Sequence, residues 1–170
     1  MEAIKHLVIS GSREILDYTI FTQAMRILSK GLQMSGRTFT TLEVVEHGDA
    51  RGVDQLATLW HSVGRKKGIF DAELKMTKPN WKPNGGDAVD RSAGHRRNHD
   101  MASRADVVLC VWDGESKGTR GMMDWCLKKG IECYAYIKVP INEKGAYHWK
   151  WYRIDEPEGG RTDEDVDSSR

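Results

Sequence analysis

The 170-residue chain lacks most of what would staple, anchor or strongly charge a protein. Its three cysteines, at positions 110, 126 and 133, fit no zinc spacing and suit a reducing compartment. No apolar run is longer than the six residues Val107–Trp112, and a bilayer-spanning helix needs about 18. The first residues, Met1-Glu2-Ala3-Ile4-Lys5, have no signal-peptide pattern, so the expected location is the cytoplasm, with no membrane partner. Net charge is nearly absent as well, with 26 Lys and Arg against 25 Asp and Glu. That balance argues against a dedicated duplex-DNA binder, whose footprint is a strong basic excess. Two phosphate-binding signatures are missing, the Walker loop and the dinucleotide Gly-x-Gly-x-x-Gly. His95 and His99 stand four apart but no third ligand joins them, so no metal is expected. No nucleophile elbow is present.

What remains is enough for one domain. With 39% apolar residues, a chain of about 150 residues buries roughly 70% of its unfolded surface and folds without a staple. The charge is uneven along the chain. Residues 155–170 hold seven acids, two arginines and a single apolar residue, Val166. Such a segment is expected to be a disordered tail. Setting it aside leaves a net +6 on residues 1–154, a moderately basic body that suits small anionic ligands. Too little excess charge remains for a long phosphate track, so nucleic acid is not the expected partner.

Periodicity predicts alternating strands and helices. Leu7-Val8-Ile9 reads as a buried strand, followed by a helix over 16–32. A second strand over 41–47 leads to a helix from Val53 closed by Gly64 and Gly68, and a third, one-sided strand covers 70–76. Residues 77–92 form a long loop with two prolines and a Gly-Gly pair. A helix over 93–103, the strong strand 106–112, a helix over 119–129 and a fifth strand over 131–139 follow. Cys110, Cys133, Met25 and Trp60 fall at core positions. Tyr147–Ile154 alternates aromatic and basic residues, like an appended strand packed on an edge of its own domain; a nucleic-acid surface is the alternative. The expected fold is α/β, a Rossmann-like three-layer αβα sandwich with a mainly parallel sheet of about five strands plus a C-terminal edge strand.

In such a sheet, ligands bind beyond the carboxyl ends of the strands, where helix N-termini offer unpaired N–H groups. Three glycine-bearing loops occupy those positions: Gly11-Ser12-Arg13; Gly48-Asp49-Ala50-Arg51-Gly52-Val53-Asp54; and Trp112-Asp113-Gly114-Glu115-Ser116-Lys117-Gly118-Thr119. Converging on one crest, they predict a pocket for a phosphate or ribose-phosphate. Asp54, in the first turn of its helix, either complements the helix dipole or accepts a ribose hydroxyl. Arg97 and Asn98 open a polar helix and suit phosphate or base recognition, and Trp81 or Trp112 is placed to cover a base.

The ordered blocks Gly11-Ser12-Arg13, His47-Gly48-x-x-x-Gly52-x-Asp54, Trp81, Gly94-x-x-Arg97-Asn98-x-x-Met101, Ala105-Asp106 and Gly114-x-x-x-Gly118-Thr119 resemble the YspA-type branch of the SLOG superfamily. That superfamily is related to lonely-guy phosphoribohydrolases and to the DNA-processing protein DprA. The resemblance covers about residues 4–139. It implies a Rossmann-like pocket for a nucleotide or nucleotide-derived small molecule, and a homodimer or larger homo-oligomer. The sequence departs from the lonely-guy enzymes where their Pro-Gly-Gly-x-Gly-Thr-x-x-Glu places a catalytic glutamate, because Met122 stands there. The leading expectation is therefore binding, as a sensor or as a phage- or plasmid-type protein sequestering a signalling nucleotide, with no cofactor required. N-glycosidic hydrolysis through a relocated carboxylate, Asp54 or Glu115, is one alternative. DprA-like binding of single-stranded DNA is another.

Overall fold

The computed structural model describes residues 2–155. The expected acidic tail, apart from Asp155, lies outside the described residues. Six strands and four helices succeed one another as β1 (His6–Gly11), α1 (Tyr18–Gln33), β2 (Val44–His47), α2 (Val53–Lys66), β3 (Glu73–Met76), α3 (Ala93–Arg104), β4 (Val107–Trp112), α4 (Lys117–Lys129), β5 (Cys133–Pro140) and β6 (Tyr147–Arg153). They form one sheet in the order β3-β2-β1-β4-β5-β6. The first five strands are parallel, and β6 returns antiparallel along β5. This is a Rossmann-like α/β sandwich.

Alternation along each strand divides the core in two. Leu7 and Ile9 of β1, with Val107, Leu109 and Val111 of β4, pack with α1 and α2 residues such as Phe21, Leu28 and Ala57. Val8, Val108 and Cys110 join Met101 and Ala102 of α3 and Met122 and Cys126 of α4. Both faces of β1 and β4 are thus covered, which is why these strands read as unbroken apolar runs. Asp106 clamps their starting ends, its Oδ2 accepting from the N–H groups of Lys5 and His6 at 2.8 and 2.9 Å.

Several details differ from the periodicity: α1 and β5 start later than expected, at Tyr18 and Cys133, and β3 covers only Glu73–Met76 of the expected 70–76. Gly64 lies inside α2 instead of ending it, because the Phe70 ring occupies the space a Cβ would need. β2 begins at Val44, after a 3₁₀ turn over Phe39–Thr41 capped by the Thr38 hydroxyl, which accepts from the Thr40 N–H. α4 starts at Lys117, two residues earlier than the pattern suggests. The C-terminal strand packs on its own domain: Trp151 stacks on Tyr134 and Trp149 on Tyr136, and both indoles are buried.

Beneath the crest, Glu46 of β2 is fully buried and charged. Burial alone would raise its pKa, but hydrogen bonds from His6 (2.9 Å), Arg104 (2.7 Å) and the Thr77 hydroxyl outweigh it and hold the carboxyl down at about 2. The network ties β1, β2, the end of α3 and the loop after β3 together. A carboxylate with a depressed folded pKa stabilises above its ordinary value of 4.5 and loses that contribution as pH falls towards about 2. Glu46→Gln is expected to lower the unfolding free energy at pH 7 by about 2–3 kcal/mol in urea titration, and to remove the acid-dependent loss seen in the parent between those two pH values.

Candidate functional site

The chain crosses from one face of the sheet to the other between β1 and β4, and the carboxyl ends of these neighbours separate the loops that follow them. A cleft of about 230 Å³ opens at this switch point. It is lined by Ser10 and Gly11 at the end of β1 and Arg13 beyond it, by Gly48, Ala50 and Asp54 after β2, by Arg97, Asn98 and Met101 of α3, and by Ser116, Gly118 and Thr119 at the start of α4.

Each wall has a local cause. His47 is buried, which lowers its pKa, and its Nδ1 accepts from the Asp49 N–H at 3.0 Å. Its Nε2–H therefore points to the Thr58 hydroxyl, 2.7 Å away. This fixes the turn in which Asp49 adopts a φ of 56°. Gly52 caps α2 at a φ of 75°, with the Ser12 and Arg13 carbonyls packed where a side chain would stand. The loops after β1 and β4 are tied by the Asp113 N–H donating to Ser12 Oγ at 3.0 Å. Asp113 Oδ1 in turn accepts from the N–H groups of Glu115 and Ser116, both at 2.9 Å, and launches α4. Among the described residues no side chain caps α4 itself, so its positive end faces the cleft through Gly118 and Thr119.

Arg97 is the central cation. Its Nη1 donates to the Gly48 carbonyl at 2.6 Å and to the Thr77 carbonyl at 3.2 Å, and its Nε donates to Asn98 Oδ1 at 2.8 Å. Asn98 Nδ2 reaches the Gly118 carbonyl at 3.4 Å. Gly48 must lack a side chain here, since a Cβ would sit 2.5 Å from the guanidinium. Burial lowers the Arg97 pKa; the Asp54 charge opposes that shift, and the Arg13 charge adds to it. Arg13 is exposed and makes no side-chain hydrogen bond or ion pair among the described residues.

Asp54 is buried, and its Oδ2 accepts from the N–H groups of Gly48 and Ala50 at 3.1 and 3.0 Å. Burial raises its pKa to about 6, against the pull of those two N–H groups and of Arg97. Its Oδ1 receives no hydrogen bond among the described residues.

Eight of the fourteen residues expected to hold the ligand meet in this cleft, and six stand around it or away from it. Gly11, Arg13, Gly48, Asp54, Arg97, Asn98, Gly118 and Thr119 come together in its wall. Ser12 is buried in the loop tie, and Gly52 shapes the turn into α2. Arg51 is exposed and paired with Glu14, away from the cleft. Trp112 turns towards the start of α4 and donates its indole N–H to the Ser116 carbonyl at 2.8 Å, so it does not cover the opening. Gly114 turns at a φ of 87° beside the Lys138 carbonyl, and Lys117 is exposed on the first turn of α4. Glu115 lines a separate cavity with Glu14, Asp17 and Tyr147. Of the two carboxylates considered for hydrolysis, only Asp54 faces the cleft. Met122 is buried in the core.

Ser10, Ala50, Met101 and Ser116 also line the cleft; Ala50 and Ser116 lie in the expected loops, but none of the four stood out as a contact. Ser10 was detectable as the one polar residue ending a buried apolar strand. His99, four residues after His95, is occupied in a stack on Trp125 with ring centroids 3.7 Å apart.

The gene 61 protein of Mycobacterium phage D29 is 33% identical over 129 residues, covering 75% of this chain and 93% of that protein. The chain belongs to the family of that phage protein. No protein-family model matches the sequence. A solved structure described as showing the single-stranded DNA binding mode of DNA processing protein A from Helicobacter pylori is similar at a TM-score of 0.45 and 17% identity. That likeness covers 82% of this chain and 66% of the other, so the chain spans just under two thirds of that protein's length.

Asp54 carries a folded pKa above its ordinary 3.8. The native state therefore holds the proton longer than the unfolded chain does, and stability falls as pH rises from 3.8 towards about 6. Asp54→Asn keeps an oxygen for the Gly48 and Ala50 N–H groups without the buried charge. It is expected to gain about 1–3 kcal/mol at pH 7 in thermal or urea unfolding, and the gain is expected to vanish below pH 4.

Proposed function

We propose that this phage-type protein is a nucleotide-binding domain of the YspA-type SLOG branch, which holds the phosphate and ribose of a nucleotide or nucleotide-derived small molecule in the switch-point cleft. The observation that carries the reading is Arg13. Among the described residues it has no acidic partner, and it stands beside the half-buried Arg97 at the mouth of a helix that no described side chain caps. Two like charges held this close favour an anion between them. The phosphate would accept from the Arg13 and Arg97 guanidinium groups and from the first N–H groups and Thr119 hydroxyl of α4. Asp54 Oδ1 would accept from a ribose hydroxyl. The glycine at 118, with open space where a Cβ would stand, allows close approach of the backbone to the ligand.

Two further readings share this cleft. Asp54, with a pKa brought towards neutrality, is the group through which N-glycosidic hydrolysis would run. Such an activity would be read as base released from a nucleoside monophosphate and lost in Asp54→Asn. Binding of single-stranded DNA is supported by the basic residues Lys78, Lys82 and Arg91 on the loop beside the cleft. Trp149 and Trp151 contribute nothing to it, because they are buried.

Calorimetry with ribose 5-phosphate, nucleoside monophosphates and a single-stranded oligonucleotide separates these readings. Arg13→Ala is expected to weaken binding of a monophosphate about ten- to a hundred-fold, and Thr119→Val less. Unchanged affinity in Arg13→Ala would remove the phosphate seat. Binding confined to the oligonucleotide, with a steep salt dependence, would replace the small-molecule reading with DNA.

A further inference from the structure

The cleft does not end at Arg13 and Arg97. A second chamber of about 330 Å³ adjoins it and shares those two arginines with it, as well as Gly48 and Ala50. Its remaining lining is Asp49, Lys78, Pro79 and Trp81.

The two chambers differ in charge. The inner one adds the open end of α4 to the shared arginines. Beyond the two shared arginines, the outer one adds only Lys78 paired with Asp49 at 3.3 Å, so it brings no further net charge for a second phosphate. Its walls offer an aromatic plane instead. Trp81 is 43% exposed, although an indole on a surface loop gains by burying itself.

The loop holds it in place from both sides. The Trp81 carbonyl accepts from the Asp90 N–H at 2.7 Å. Asp90 is in turn fixed to the start of α3 by the Ser92 N–H and hydroxyl, at 2.9 and 2.7 Å, and by the Arg96 guanidinium. The far edge of the indole rests over Gly94, with its Cη2 3.6 Å from the position a Cβ would take there. The ring is thus preplaced on an ordered loop, and its other surface lines the chamber. A packed core residue would be covered, and a solvated loop residue would not be an indole clamped at its backbone.

We propose that the outer chamber seats the nucleobase, stacked on Trp81, so that the ligand class is a 5′-phosphorylated nucleoside and not a phosphosugar. This inference rests on the phosphate and ribose reading of the inner cleft. Stacking tolerates different bases, since every base presents a π-face. The Lys78–Asp49 pair at the rim offers one donor and one acceptor to a base edge.

The test compares ribose 5-phosphate, which fills only the inner cleft, with AMP and UMP. Calorimetry would be run on the parent, Trp81→Ala, Trp81→Phe and Arg13→Ala, each with a thermal melt to verify folding. The parent is expected to bind AMP about 5- to 100-fold more tightly than ribose 5-phosphate. Trp81→Ala is expected to abolish that advantage while leaving ribose 5-phosphate affinity unchanged, and Trp81→Phe to restore part of it. Arg13→Ala is expected to weaken all three ligands alike. Equal affinity of the parent for AMP and ribose 5-phosphate would overturn the base seat alone. So would an AMP advantage that survives Trp81→Ala, or an equal loss of both ligands in that variant. Failure of the parent to bind any of the three would overturn the nucleotide reading itself.

Discussion

The site depends on how one half-buried guanidinium is satisfied. Arg97 spends its hydrogen bonds on two backbone carbonyls and a neutral amide, so the groups that hold it do not cancel its charge. A carboxylate partner would have neutralised the cation in place, as Glu46 does for Arg104 a short distance below. With carbonyls as partners, the positive charge stays available while the side chain stays rigid. Three segments that are distant in the chain meet on this residue: the turn after β2, the strand exit at Thr77, and α3. If it moved, the outer wall and the inner wall of the cleft would separate together.

Asp54 illustrates the opposite arrangement. It is buried beside two backbone N–H groups, but burial still outweighs them and its carboxyl is pushed towards neutrality. Burying a charge at such a cost serves no purpose in packing, because Val53 and Ala57 on the same helix already supply apolar contact with the sheet. Strain of this kind concentrates where a ligand relieves it. Glu46 and Asp54 thus show two fates of a buried carboxylate in one small domain: one fully paired and stabilising, one under-paired and poised.

The fold was largely legible because both faces of β1 and β4 are covered, which turns their sequences into apolar runs flanked by glycine and charge. The helices were legible through the spacing of residues such as Leu28 and Ala57. What escaped detection depended on tertiary partners. Gly64 reads as a helix stop until Phe70 is seen to fill its place. Arg51 and Arg13, two residues of the same type in equivalent loops, cannot be told apart in one dimension, yet one is paired with Glu14 and the other faces the cleft. Trp112 looked like a base cover because it ends the strongest strand. Alternation instead sends it to the α4 side, where the Ser116 carbonyl takes its N–H. The membership of the loops was readable; their side-chain directions were not.

The parallel pairing of β1 with β4 joins residues 100 apart in the chain, as the Asp106 clamp on His6 shows. β5 and β6, by contrast, form a local hairpin. Closing a loop that long costs entropy before any contact rewards it, so such pairings set the pace of folding. The cleft lies directly over the end of this junction. A molecule bridging Gly11 and Thr119 therefore fastens the seam that is hardest to close. Occupancy would be felt as a slower rate of opening of the whole domain, well beyond the loops that touch the ligand.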